Sequence, residues 1–338
     1  MVKKEFRSLM QGEVLVKVLA ATINPTDRLM AFGQVEAPGA EEHLPIGLGF
    51  EGSGIVEDGF RPEEKKHIGT PTAIFIDLSH PSEVAAWGQY VYMQTKDLIP
   101  FPVETDPETI CAIVNPITNF PMMQKIHEGN HKAVVQSAAC SSVGKILFKH
   151  CKKLGIPTVN IVRKKEQVKL MKDLGAKYVL NSTSKTFEED LKDLSEELKA
   201  TIFFDPIGGD FTLKVLKLLP ANSTAVLMDN LSGGCFAFDP LELVFQNKTI
   251  SSIFLEVWMK DQSPNKIEQI ISEIGADLTS GGEIFGTNVY KSFPLSSLDE
   301  AIEASIKHSS KGKVIFKPHL IEEKPSKRNM WRLLCCLG

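Results

Sequence analysis

The residues best suited to chemistry lie between 133 and 165. A short apolar run, Ala133, Val134 and Val135, gives way to the small residues "SAACSSVG" (137–144). A helix-period stretch follows, with Val143, Ile146, Leu147, Cys151 and Leu154 on one face. Gly155 stops it, and a second β-branched run, 158–162, follows within the spacing of parallel strands joined by a crossover helix. The chemistry open to such a turn is anion binding, because free backbone N–H groups and the positive end of the helix dipole converge where a pyrophosphate would sit. The glycine fingerprint of a dinucleotide turn is incomplete: Ala138, Ser141 and Gly144 hold its three-residue period, and only the last is glycine. Small side chains still let backbone approach a phosphate, and the hydroxyls of Ser141 and Ser142 add donors. The plainer alternative is a small-residue strand-to-helix turn with no ligand. The second strand ends in Arg163, Lys164 and Lys165. A carboxylate about 20 residues past the glycines would take a ribose 2′-hydroxyl, whereas cations suit a 2′-phosphate, so the expected cofactor is NADP. A solvated basic helix start is the alternative, although cations are disfavoured at that end of a dipole.

Composition bounds the elements that must position these groups. At 338 residues, 43% hydrophobic and 24% charged, the chain has room for about two domains. A net charge of −4 gives no electrostatic case for nucleic acid. The longest apolar runs fall short of the about 20 residues that span a bilayer, so the body reads as soluble. The six cysteines, at 111, 140, 151, 235, 335 and 336, form no CxxC pair, which fits a reducing compartment and opposes a four-cysteine zinc lobe. "MVKKEFRSLM" is basic but lacks an apolar signal core.

The first 130 residues read as β-rich: "EVLVKVLAATI" puts Val14, Val16 and Val18 on one face, and "GSGIV" and "AWGQYVYM" are glycine-punctuated strands. "PETICAIVNPITNFPMMQKIHEG" reads as helical from Pro107, with Pro121 as a kink or boundary. Past the nucleotide unit, strand and helix patterns alternate. Gly208 and Gly209 follow a buried strand, at the carboxyl end where open α/β sheets bind ligand. "PNKIEQIISEI" and "SLDEAIEASIKH" are amphipathic helices leading to "GKVIFKP".

The succession "GEVLVKVLAATINPTD" (12–27), "LPIGLGFEGSGIV" (44–56), "WGQYV" (87–91), "VNPIT" (114–118), "SAACSSVG" (137–144), "LGAKYVLN" (174–181), "FFDPIGG" (203–209) and "GKVIFKP" (312–318) resembles the medium-chain dehydrogenase/reductase superfamily. Within it, the chain resembles the zinc-free branch of quinone oxidoreductases and enoyl-thioester reductases. The resemblance implies an α/β protein with a GroES-like β-rich domain (1–115, completed by 285–318), an inserted Rossmann doubly wound parallel-sheet domain (116–284) and a tail (319–338). It also implies cofactor contacts at Ala139, Ser141, Ser142, Gly144, Arg163, Lys164, Asn181, Gly208, Phe254 and Lys313. For Phe254 an ordinary core strand is the alternative, and for Lys313 a surface charge. The catalytic zinc of the alcohol-dehydrogenase branch needs a cysteine and a histidine where this chain has Asn24 and Phe50, so no metal is expected.

The chemistry implied is hydride transfer from NADPH to an enone, a quinone or a 2-enoyl thioester, with protein donors offsetting the charge that develops. Enoyl-thioester reductases of the superfamily place a tyrosine where this chain has Val35, which can neither donate nor relay a proton. Asn24 and Thr118 are the nearest catalytic candidates, and thioester reduction should be weak. The alternative function is a weak or inactive family member kept as a nucleotide-binding or structural subunit of an assembly. The expected partners are a small-molecule substrate, or none if inactive, and further chains as a homodimer or complex. The tail "IEEKPSKRNMWRLLCCLG" joins Lys327, Arg328 and Trp331 to Cys335 and Cys336. That combination suits S-acylation and membrane-surface contact, with a disordered or packed terminus as the alternative. The compartment expected is the cytoplasm or the mitochondrial matrix.

Overall fold

The computed structural model describes residues 5–33, 47–76 and 85–320. Val35 and the tail bearing Cys335 and Cys336 lie outside the described residues. The first sheet starts with β1 (Glu13–Thr22), β2 (Glu51–Gly59), β3 (Pro71–Phe75), β4 (Tyr90–Gln94) and β5 (Ile99–Pro100). The second sheet consists of β6 (Ala133–Gln136), β7 (Thr158–Val162), β8 (Tyr178–Asn181), β9 (Ala200–Asp205), β10 (Thr224–Leu227) and β11 (Thr249–Ser252). The chain then returns to the first sheet with β12 (Val289–Phe293) and β13 (Lys313–Phe316).

In the first sheet the order is β12-β13-β1-β2-β3-β5, with β4 also on β1. The alternation along β1 is that of a half-buried strand, and Val14, Val16 and Val18 are wholly buried against Val56, Ile74 and Val91. Strand β2 lies close against β1: a Cβ on Gly54 would come within 2.2 Å of the Lys17 carbonyl oxygen. Only glycine permits that approach. On the other side, β13 runs antiparallel to β1, with Ala21 opposite Phe316 and Thr22 opposite Ile315. The end of β1 is therefore flanked by residues from position 51 and from position 313.

The second sheet is parallel throughout, in the order β11-β10-β9-β6-β7-β8. Its inner strands are largely apolar on both faces, as a sheet covered by helices requires, whereas the edge strand β11 is polar and partly exposed. Val135 packs with Phe203 and Leu216 on one face, and Val134 packs with Met122, Leu147 and Phe204 on the other. From β6 the chain proceeds to β7 and β8 on one side, then crosses to β9, β10 and β11 on the other. The carboxyl ends of β6 and β9 thus border the switch point, where α/β sheets of this kind take ligands.

Pro121 does not act as a boundary. One helix covers Pro107–Ile110 and a separate one covers Val114–Glu128, with Pro121 inside the second. Pro121 is buried, and the packing of the same helix onto the sheet through Met122, Met123 and Ile126 outweighs one lost backbone bond. Among the described residues no helix is long and apolar enough to cross a membrane.

Candidate functional site

The first concentration of polar groups lies where β1 ends between β2 and β13. Glu51 is fully buried. Its Oε1 accepts from Thr22 Oγ1 (2.8 Å) and Asn24 Nδ2 (2.8 Å), and its Oε2 from the backbone N–H of Val114 (2.7 Å). Lys313 Nζ lies 3.6 Å from Glu51 Oε1 and donates to Asn24 Oδ1. Asn24 Nδ2 also reaches Thr22 Oγ1 at 3.1 Å. The Asn24 amide is thus fixed from both ends, and Lys313 is a nearly buried cation rather than a surface charge. Buried charges need such partners, because an unpaired ion loses its hydration without return.

Asp27 completes the cluster. It caps the short helix Pro25–Ala31 by accepting from Asn24 N (2.7 Å), and its other oxygen accepts from Phe50 N (3.0 Å). Burial pushes its pKa up to about 7; these two N–H bonds pull it down, the nearby Glu51 charge raises it and Lys313 lowers it. Phe50 therefore contributes a backbone donor only, with its side chain in the core. Cys111 is buried beside Glu51, and burial followed by that charge pushes its thiol pKa up, away from a reactive thiolate.

Val114 N, bound by Glu51, opens the helix that leads to β6, and Thr118 sits one turn further along. Its hydroxyl donates to the Val114 carbonyl at 2.7 Å. Between them, the buried Asn115 Nδ2 has no acceptor among the described residues. An unsatisfied buried donor costs roughly 1–3 kcal/mol, and this one stands one residue past the N–H that Glu51 binds.

The second concentration surrounds the switch point. Ser141 is the N-cap of the helix Ser142–Lys153, its Oγ accepting from Gly144 N at 3.1 Å. Ala138 takes the left-handed conformation (φ 46°); the Ala139 N–H is spent on the Ile161 carbonyl of β7 and the Ser141 N–H on the Ala138 carbonyl within the turn. Gly144 is required for packing: a Cβ there would meet the carbonyl oxygens of Ala138 and Ala139, each at 2.9 Å. Across the switch point Ser137 Oγ donates to Asp205. That buried carboxylate also accepts from Ile207 N (2.9 Å), Gly208 N (3.2 Å) and Thr212 Oγ1 (2.6 Å). Gly208 (φ 72°) and Gly209 then line a cleft of about 320 Å³ with Asp229, Asn230 and Cys235. A larger cavity of about 500 Å³, between Leu216, Leu241 and Phe245, contains none of the nominated residues.

Arg163 and Lys164 are exposed just past β7, and among the described residues neither side chain is in an ion pair. Their backbone N–H groups both bond to Gln167 Oε1, which closes the next helix and leaves the cationic side chains free. Asn181 ends β8, its Oδ1 accepting from Thr183 N and Thr183 Oγ1. Phe254 is 46% exposed at the N-cap of the helix Leu255–Lys260, so it is not in a core strand.

Two family profiles match the chain. The alcohol dehydrogenase GroES-like domain covers residues 10–103, and the zinc-binding dehydrogenase profile covers 142–275. The chain belongs to the medium-chain dehydrogenase/reductase superfamily. Within the superfamily it is 25% identical, over 318 residues, to the rat mitochondrial enoyl-[acyl-carrier-protein] reductase, covering 90% of this chain and 80% of that protein. A candidate NADPH:quinone reductase of Mesorhizobium loti, at 28% identity, superposes with a TM-score of 0.81 over 91% of this chain and 87% of the other. The fold is also that of the Escherichia coli quinone oxidoreductase solved with NADPH: TM-score 0.80, 20% identity, 94% and 95% of the two chains. As a superfamily member the protein has the expected α/β class, a GroES-like domain plus a Rossmann domain.

Of the candidate residues, the structure joins Asn24 and Lys313 directly and places Thr118 a helical turn past Val114, whose N–H donates to their shared partner Glu51. The turn residues and Gly208 meet at the switch point, while Arg163, Lys164 and Asn181 rim it on the β7 and β8 side. The sequence reading missed Glu51, Asp27, Asn115 and Asp205. Glu51 stands in "GFEG", between Phe50 and Gly52; a carboxylate in a strand whose neighbours are apolar or glycine is itself a signal of a buried, partnered charge.

Proposed function

We propose that the protein is a zinc-independent, NADPH-dependent oxidoreductase that reduces an activated double bond in a 2-enoyl thioester, an enone or a quinone. The observation that carries this is the Glu51 junction, which ties Asn24 and Lys313 of one sheet to the start of the helix that leads to the switch point of the other. The names of the relatives, enoyl reductases and NADPH:quinone reductases, support the same reading.

The residues present fit the cofactor. The helix at Ser142, with small residues before it and no Cβ tolerated at Gly144, offers its positive end to a pyrophosphate. Arg163 and Lys164 stand unpaired for a 2′-phosphate, with Asn181 at the adjoining strand end and Gly208 at the cleft. Phe254 supplies an apolar edge. When bound, NADPH supplies the hydride. The chain's part is to orient it, keep water from it and offset the charge that grows on the acceptor oxygen. Asn115 Nδ2 is the unspent donor for that oxygen, whereas Asn24 and Thr118 already serve internal partners and hold the surrounding geometry. Zinc independence rests on Asn24 and Phe50, neither of which offers a thiolate or imidazole. We place the protein in the cytoplasm or mitochondrial matrix; the mitochondrial names of the enoyl-reductase relatives favour the matrix.

The test is a titration with NADPH and NADH, followed by NADPH oxidation with crotonyl-thioester, enone and quinone panels, with zinc measured by elemental analysis. Saturable NADPH binding, oxidation by at least one acceptor class and no stoichiometric zinc are expected. Binding without turnover on every acceptor contradicts the enzymatic reading.

A further inference from the structure

Lys145 lies on the first turn of the helix Ser142–Lys153, four residues past the cap Ser141, at the end where the dipole disfavours a cation. It is half-buried, and among the described residues it has no carboxylate partner. Its ammonium donates instead to a neutral group, the Ser310 carbonyl at 2.7 Å, in the turn before β13. Of its titratable neighbours, Cys140 is a thiol whose pKa burial pushes up to about 11, and Lys149 is another cation. Burial, the larger influence, pulls its pKa down. An ammonium has three donors, and the Ser310 bond uses one. The adjacent turn has lost two of the three glycines of a dinucleotide fingerprint and spends the N–H groups of Ala139 and Ser141 on the carbonyls of Ile161 and Ala138.

We infer that Lys145 is a pyrophosphate-binding residue of this chain: anchored on Ser310, its ammonium supplies the charge and donors that the glycine-poor turn lacks. An anion there would neutralise both the cation and the helix end. The same bond links the cofactor helix to the turn preceding Lys313, so the occupied phosphate site and the Glu51 cluster are held by one side chain. The inference rests on the cofactor reading above and makes a different demand. The pyrophosphate is common to NADPH and NADH, whereas Arg163 acts on the 2′-phosphate alone.

The experiment measures dissociation constants for NADPH and NADH at low and high salt for the parent, Lys145→Gln and Lys145→Met, with thermal unfolding of each apoprotein. Glutamine removes the charge while keeping an amide donor for Ser310. Both substitutions should weaken both cofactors about tenfold with the NADPH-to-NADH ratio unchanged, as loss of one charge-assisted contact implies. They should also flatten the salt dependence. Unchanged affinities in Lys145→Gln overturn the inference, as does a loss confined to NADPH or a loss in Lys145→Met alone, which would make the residue a structural clamp. A parent that binds neither cofactor refutes the cofactor reading itself, and this inference with it.

Discussion

The Glu51 cluster and the cationic rim at Arg163 use the same kinds of groups in opposite ways. At Glu51 every oxygen has a donor, the cation Lys313 is nearly buried, and the partners come from three separated stretches of chain. At Arg163 and Lys164 the cations are exposed, neighbours in sequence and unpaired among the described residues. Buried charge is held where geometry must not change, and in the proposed function the exposed charge is the one that meets the 2′-phosphate. Damage to the first should therefore appear mainly as lost stability and damage to the second as lost selectivity.

The largest effect is expected from Glu51→Ala, which strands Lys313 and frees the start of the helix Val114–Glu128. Breaking a buried pair on one side costs about 3–5 kcal/mol, read from urea unfolding. Adding Lys313→Met should recover part of that loss, since the stranded charge is then gone. A Glu51→Ala variant as stable as the parent would break the distinction between the two regions.

Asp27 gives the next effect, through pH. Its folded pKa, about 7, lies above the ordinary carboxylate value of 3.8, so the folded state holds the proton more tightly. Its contribution is fully present below the unfolded pKa and is lost as pH rises from about 4 to about 7, levelling off above that. At about 1.4 kcal/mol per pKa unit the whole descent is on the order of a few kcal/mol. Unfolding measured at several pH values should show this descent in the parent and lack it in Asp27→Asn. Equal slopes in the two proteins would remove Asp27 as the source.

Gly144→Ala should cost about 1–3 kcal/mol, because the new Cβ meets two backbone oxygens that cannot move without shifting the turn. NADPH affinity should fall with it. Arg163→Asp should leave stability within about 0.5 kcal/mol, as an exposed residue does. It should also abolish an NADPH preference of about tenfold. Retained preference in that variant would move the 2′-phosphate elsewhere.

The difference between the regions also explains what the sequence disclosed. The strand-turn-helix at 133–153 and the cations at 163–165 are local, so periodicity and dipole arguments reached them, and the valines of β1 announced their buried face. The cluster is non-local: Asn24 and Lys313 stand 289 residues apart and meet only because β13 and β2 pair on opposite sides of β1. No spacing rule reports that. Pro121 misled because a proline inside a helix is usually a break, and here burial on the sheet outweighed the missing bond. Asn115 was invisible for another reason, since an unsatisfied donor is a property of packing.

The most direct single measurement is a single-turnover reaction of the protein with NADPH deuterated at the transferring position and an unsaturated thioester, enone or quinone, followed by mass spectrometry of the products. Transfer of the deuterium to carbon of a thioester or enone product, or matched oxidation of NADPH and reduction of quinone, is the expected result, and it should depend on the intact Glu51 cluster. NADPH bound and recovered unoxidised with every acceptor, in protein whose cluster is intact, would contradict it.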